Sequence, residues 1–296
     1  LGVMQALARL LGAVLRRILG TSPIESFSAV ITIAIGQSEI AVALRPFLAL
    51  LTGAELFAVM SSGAASTAGS ILAGYAALGV PMTYLLAASV MAIPGGLVYA
   101  KILMPSTEPT RIATTRVEFG ETRAANIIEA AADGTQKGLA VAVSVGAMLI
   151  AFVGLIALAD GLFGTLGAWM GYPSASFEGV LGRALAPLAW LLGVPWDQAT
   201  LVGGAIGQKL AFNEFLAYAN LSPVLKAGTL EPRAQAIVCF ALCGFANFAS
   251  IAIQLASFSS LVPERRAEVA RYGLRAILAG TLANLTSAAI AGMFVA

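Results

Sequence analysis

Two polar clusters, Gly36-Gln37-Ser38-Glu39 and Lys209-Leu210-Ala211-Phe212-Asn213-Glu214-Phe215, each interrupt an apolar stretch long enough to cross a bilayer. A crossing takes about 20 apolar helical residues, and a charged side chain at hydrocarbon depth costs at least ~2.5–3.5 kcal/mol. A straight helix would set Gln37, Glu39, Lys209 and Glu214 against lipid. Re-entrant hairpins with their tips buried in protein avoid that cost, because irregular backbone at depth must face protein or a cavity. The expected fold is an all-α polytopic membrane protein with a polar solute site inside it. Composition agrees: 59% of residues are hydrophobic, 11% are charged, and mean hydropathy is +0.89.

Along the chain, residues 1–20 read as an amphipathic interfacial helix carrying Arg9, Arg16 and Arg17. Residues 24–51 follow as a hairpin with its tip near 36–39, then 54–79 and 82–104 as two crossings. Ser61, Ser62, Gly63, Ser66, Thr67, Gly69 and Ser70 crowd the first of these, which marks a partly unwound or closely packed helix. Residues 105–138 are expected as a cytoplasmic loop with some helix, and 139–168 as a scaffold crossing. Residues 174–192 are again interfacial, with Trp190 and Trp196 suited to a headgroup belt. A second hairpin spans 197–225, its tip near 209–215, and crossings at 234–262 and 269–296 end the chain.

Residues 1–104 and 174–296 therefore share one order: interfacial helix, re-entrant helical hairpin, two crossings (one discontinuous). Ala34-Ile35-Gly36-Gln37 in one hairpin recurs as Ala205-Ile206-Gly207-Gln208 in the other. The single crossing between the halves inverts the second relative to the first. Inverted repeats with discontinuous helices recur in secondary transporters, with the site near mid-membrane.

Returning each hairpin to its starting side sorts the cations. One face receives Arg9, Arg16, Arg17, Arg45, Lys101, Arg111, Arg116, Arg123, Lys137, Arg265, Arg266, Arg271 and Arg275. The other receives Arg183, Lys226 and Arg233, and Lys209 lies within the membrane. The positive-inside rule makes the first face cytoplasmic and puts the C-terminus outside. The chain starts at Leu1 without a signal-peptide pattern and is expected to lack N-terminal residues of a longer protein.

The net charge of +2, with no basic stripe, excludes nucleic acid as a partner. The lack of histidine removes Ser/His and Cys/His catalytic pairs and most zinc sites. Cys239 and Cys243, one helical turn apart in an apolar run, read as packing residues, and no cofactor is expected.

A hairpin tip exposes free N–H groups at one half-helix and free C=O groups at the other. Such carbonyls, with Ser or Thr hydroxyls, hold a small hard cation. Gln37 offers both a donor and an acceptor, and Glu39 and Glu214 are strong acceptors. Asn247 and Ser250, spaced i, i+3, share a face, with Phe245 and Phe248 beside them. Amides, a hydroxyl, carboxylates and aromatic rings suit a neutral, flat solute with hydroxyls, such as a nucleoside. Lys209 reads either as a substrate contact or as a structural partner of a carboxylate.

At these residues the chain resembles the concentrative nucleoside transporter family. Residues Gly207 to Tyr218 are similar to its signature Gly/Ala-x-Lys-x-x-x-Asn-Glu-Phe-Val-Ala-aromatic, with Leu216 for Val. Gly36-Gln37-Ser38-Glu39 matches its Gly-Gln-Ser/Thr-Glu, and Phe245-Ala246-Asn247-Phe248-Ala249-Ser250 its Phe-Ala-Asn-Phe-x-Ser. The resemblance covers essentially the whole chain. It implies a homotrimer in the bacterial inner membrane that moves nucleosides inward by an elevator-like motion, driven by sodium or protons.

Carried over by motif, Gln37, Ser38 and Glu39 contact the base with Leu72 nearby. Glu214, Asn247 and Ser250 bind the ribose, and Phe245 walls the pocket. Sodium-coupled members carry Asn where this chain has Thr32. Candidate sodium ligands are then Thr32, Ser38, Thr67 and the carbonyls of Ile35 and Ala68, and a proton would instead use Glu39 or Glu214. Two other readings of the residues stand beside symport: a membrane-embedded enzyme using the carboxylates as acid and base, and a nucleoside-recognition or gating module that transports nothing.

Overall fold

The computed structural model describes residues 3–112, 126–172 and 176–295. Among them every regular element is a helix, the class expected. Helix α1 (Val3–Leu19) packs on α2 (Pro23–Ile35), where a β-carbon on Gly12 would lie 3.6 Å from Ser26 Cβ. A capping box starts α2: the Glu25 N–H donates to Ser22 Oγ, and the Ser22 N–H donates to Glu25 Oε2 at 2.7 Å. The helix stops at Gly36, whose φ of +98° disfavours any side chain. After this break come α3 (Glu39–Ala43) and a run of turns to Leu50.

Helix α4 (Gly53–Ala65) opens on the same device, Thr52 with Glu55. It breaks at residues 66–68 and resumes as a 3-10 turn, Gly69–Ile71, and α5 (Leu72–Ala77). Together, Gly53–Ala77 form an apolar span of 25 residues. Helix α6 (Met82–Leu103) is a second span, and its Lys101 reaches back to Glu25 Oε1 at 2.6 Å.

Helix α7 (Ile127–Trp169) has 43 residues and starts inside the stretch expected as loop, so residue 138 marks no structural boundary. Its first turns hold Ala, Glu and Lys, good helix formers that suit water as well as membrane. The helix is ~65 Å long, about twice a bilayer core. Arg116 and Arg123 of that loop lie outside the described residues.

Helices α8 (Phe177–Leu191) and α9 (Trp196–Ala211) meet at a bend of 115° and pack through glycine. A β-carbon on Gly203 would lie 2.8 Å from the Ala186 nitrogen. The chain continues through α10 (Glu214–Ala227), α11 (Pro232–Leu242), a break at residues 243–247, and α12 (Phe248–Leu261). After the 3-10 turn Pro263–Arg265, α13 (Arg266–Phe294) completes a third apolar span, Pro263–Phe294.

Apolar burial divides into two cores. One gathers around the first hairpin, with Phe27, Ile31, Leu44, Phe57, Leu97 and Phe258. The other gathers around the second, with Tyr75, Leu85, Val202, Tyr218, Ile237 and Leu242. Among the described residues, two small clusters stand apart from these cores, Ala64 with Ala246 and Ile277, and Ala65 with Ala92 and Ala283. Small side chains let the backbones approach, and both helix breaks fall at this seam.

Candidate functional site

The two breaks touch. The Phe245 N–H, in the break between α11 and α12, donates to the Ser66 carbonyl in the break after α4 at 3.0 Å. Each break leaves backbone groups that a continuous helix would have paired, and each finds side-chain partners.

At the carbonyl ends the partners are Lys209 and Asn284, both buried. Lys209 Nζ donates to the Ala241 carbonyl and to Asn284 Oδ1, both at 2.7 Å. Asn284 Nδ2 donates to the Ala65 carbonyl at 2.7 Å and the Cys243 carbonyl at 3.1 Å. A cation and an amide thus meet the negative dipole ends of α4 and α11. Among the described residues, the hydrogen bonds of Lys209 go to these groups.

At the N–H ends the caps are Asn213 and Asn247. Asn213 Oδ1 accepts from the Leu216 N–H at 2.8 Å, and Asn247 Oδ1 accepts from the Ser250 N–H at 2.9 Å. Both Asn side chains keep their Nδ2 groups, and Asn247 Nδ2 donates to Glu214 Oε2 at 3.1 Å. Glu214 is the first residue of α10, where the helix dipole favours its charge. Its other oxygen, Oε1, accepts from the Tyr75 hydroxyl at 2.8 Å.

Ser250 carries the chain of bonds onward. Its hydroxyl donates to the Phe245 carbonyl at 2.5 Å and accepts from Gln37 Nε2 at 2.9 Å. Gln37 Oε1 accepts in turn from Gln254 Nε2 at 3.3 Å. Gln37, Glu214, Asn247 and Ser250 are all buried and stand in one network that joins both hairpin tips to both broken helices. Leu72 is buried three residues before Tyr75, and Phe245 is half-buried at the break. Ser38 is half-buried and Glu39 exposed, with the Glu39 carboxylate folded over Gly36, and neither joins the network.

Most candidate cation ligands cluster near the end of α2. Among the described residues, no backbone N–H donates to the carbonyls of Ile33, Ala34 or Ile35. A β-carbon on Gly69 would lie 3.3 Å from the Ile33 oxygen, and one on Gly36 would lie 3.2 Å from Ala68 Cβ. The carbonyl end of α2 therefore abuts the break after α4. The Thr32 hydroxyl donates back to the Ser28 carbonyl at 2.6 Å and keeps its lone pairs. Thr67 faces elsewhere: its hydroxyl lies 3.5 Å from both Ser89 Oγ and Cys243 Sγ. Among the described residues no group of His, Cys, Asp and Glu fit to hold a metal is present.

Residues 84–292 match the family model described as the C-terminus of Na+ dependent nucleoside transporters. This chain belongs to the concentrative nucleoside transporter family. It is 52% identical to NupX of Escherichia coli K12 over 296 residues, all of this chain and 71% of that protein. It is 44% identical to the nucleoside permease NupC of Helicobacter pylori over 298 residues, covering all of this chain and 71% of that protein. The structure of CNTnw in an inward-facing substrate-bound state superposes with a TM-score of 0.91 at 48% identity, over 99% of this chain and 69% of that one. Concentrative nucleoside transporters are not enzymes, so the acid–base reading of the carboxylates falls.

Three side chains around the two breaks of this transporter were not singled out by sequence: Tyr75 and Gln254 in the network, and Asn284 beside Lys209. Gln254 carried a usable signal, since 247, 250 and 254 follow the i, i+3, i+7 spacing of one helix face. Asn284 stood as a lone amide in the apolar α13. Tyr75 had no signal of its own.

Proposed function

We propose that this chain carries nucleosides inward across the bacterial inner membrane together with sodium or a proton. The observation that carries the reading is the buried network from Tyr75 through Glu214, Asn247 and Ser250 to Gln37. Buried polar groups of this density belong to a pathway or site, because each would otherwise raise the cost of burial. Glu214, Asn247 and Ser250 meet ribose hydroxyls, Gln37, Ser38 and Glu39 meet the base, and Leu72 and Phe245 supply apolar walls.

The coupling cation sits at the carbonyl end of α2, drawing on Ile35, Thr32, Ser38 and Ala68, with Thr67, turned toward Ser89 and Cys243, outside the set. Ordering the 36–38 turn also orders Gln37, so each ligand raises the affinity for the other. A proton would instead reside on Glu39 or Glu214. Residues 1–104 and 174–296 act as inverted repeats about the scaffold helix α7. The substrate-carrying part moves against that scaffold like an elevator, within a homotrimer, with the C-terminus outside. Support for the motion comes from CNTnw, which is known in inward-facing, outward-facing and intermediate states.

The test is uptake of radiolabelled uridine and adenosine into proteoliposomes of the intact transporter, under a sodium gradient and a proton gradient imposed separately. Accumulation above equilibrium under one gradient, abolished by Glu214→Gln, is the expected result. Folded protein that accumulates neither nucleoside under either gradient would overturn the reading and favour a non-transporting recognition or gating module.

A further inference from the structure

Gln254 lies on α12 one turn beyond Ser250 and is buried. Its Nε2 spends both hydrogens, donating to the Met60 carbonyl at 3.0 Å and to Gln37 Oε1 at 3.3 Å. Its own Oε1 is buried without a hydrogen-bond partner. The orientation of this amide is therefore set from its nitrogen side. A backbone carbonyl only accepts, so Met60 admits only a donor there, and the reversed amide would set oxygen against oxygen.

The same logic closes the other end. The Ser250 hydroxyl hydrogen goes to the Phe245 carbonyl, also an obligate acceptor. Ser250 Oγ can then only accept from Gln37, which must present its nitrogen there. Two carbonyls, one in α4 and one in the break before α12, thus impose a single direction on the chain of bonds. Gln37 has one N–H and one oxygen lone pair left, in fixed places.

We propose that Gln254 is a specificity-determining positioning residue: by fixing the polarity of the Gln37 amide, it decides which pattern of donors and acceptors on a nucleobase edge the transporter favours. The proposal rests on the reading that Gln37 meets the base. Uridine and cytidine test it directly, since uridine offers O4 as acceptor and N3–H as donor, and cytidine reverses both. A carboxyl at position 254 has at most one proton for the two acceptors that Nε2 now serves, so it releases or reverses Gln37.

The experiment is the kcat/KM for uridine and for cytidine uptake, measured in proteoliposomes of the intact transporter for wild type, Gln254→Glu and Gln254→Leu. The uridine-to-cytidine ratio is expected to shift about tenfold in Gln254→Glu, the order of one hydrogen bond, and about threefold in Gln254→Leu, where Ser250 still holds Gln37. If Gln254→Glu fails to reach the membrane, the Gln254→Leu ratio carries the test alone. Equal falls for both nucleosides would leave Gln254 a packing residue and overturn the proposal. A wild-type protein that takes up neither would overturn the functional reading instead, and the proposal with it.

Discussion

The Tyr75 hydroxyl donates to Glu214 Oε1 at 2.8 Å and so ties the short helix after the first break to the tip of the second hairpin. With Asn247 on Oε2, the carboxylate is held from both sides by donors on elements that precede and follow it in the chain. The geometry leaves Glu214 little freedom to choose its direction.

Tyr75→Phe removes one of those donors and keeps the ring packed against Tyr218, whose centroid lies 4.8 Å away. Losing a hydrogen bond to a buried charged group costs about 1.5–3 kcal/mol. Nucleoside kcat/KM is expected to fall at least about tenfold, and the thermal unfolding midpoint by a few degrees. Uptake kinetics beside a melting curve check this. Wild-type kinetics would mean that Glu214 does not depend on Tyr75.

Lys209→Met deletes the cation that Ala241 and Asn284 share. Two buried acceptors lose a charged donor at the carbonyl end of α11, for roughly 3 kcal/mol in total. The intact protein should unfold several degrees lower in detergent. Lys226→Met, at an exposed position, serves as the control and should stay within about 0.5 kcal/mol of wild type. Equal melting of the two variants would show that the buried ammonium is dispensable.

Gln37, Glu214, Asn247 and Ser250 were legible in the sequence because a polar group in an apolar run has a cost that only a site or a partner offsets. Their partners were not. Tyr75 and Glu214 are 139 residues apart, Gln37 and Gln254 217, and Asn284 and Ala65 219. Local patterning carries no information about such pairs. The Ser and Gly residues between 61 and 70 marked a partly unwound or closely packed helix, and the structure puts the break at residues 66–68, where Phe245 approaches. The start of α7 was missed for another reason: hydropathy marks the edge of the apolar stretch, whereas a helix of Ala, Glu and Lys runs on past it.

Thr32→Val keeps the shape of the side chain and removes its oxygen. Because that hydroxyl already donates to Ser28, its lone pairs are all that it offers a cation. Under the proposed symport, the half-saturating concentration of the coupling cation is expected to rise about tenfold, near the upper end of what one lost polar contact gives. Nucleoside KM at saturating cation should hold. Titration of uptake against the cation measures both, and an unchanged midpoint would remove Thr32 from the ligand set.

Gly280→Ala tests whether the seam holds the site together. A β-carbon at Gly280 would lie 2.8 Å from the Ala64 carbonyl carbon and 2.9 Å from the Ala65 nitrogen, both backbone atoms with no rotamer to yield. The helix α13 must therefore shift off α4, at a cost of about 1–3 kcal/mol. Asn284 follows one turn later on the same helix, so the shift draws its Nδ2 from the Ala65 carbonyl and loosens Lys209 with it. Two effects should appear together, a lower melting point and a raised nucleoside KM. A lower melting point with unaltered KM would mean that α13 and α4 separate without disturbing the crossing of the breaks.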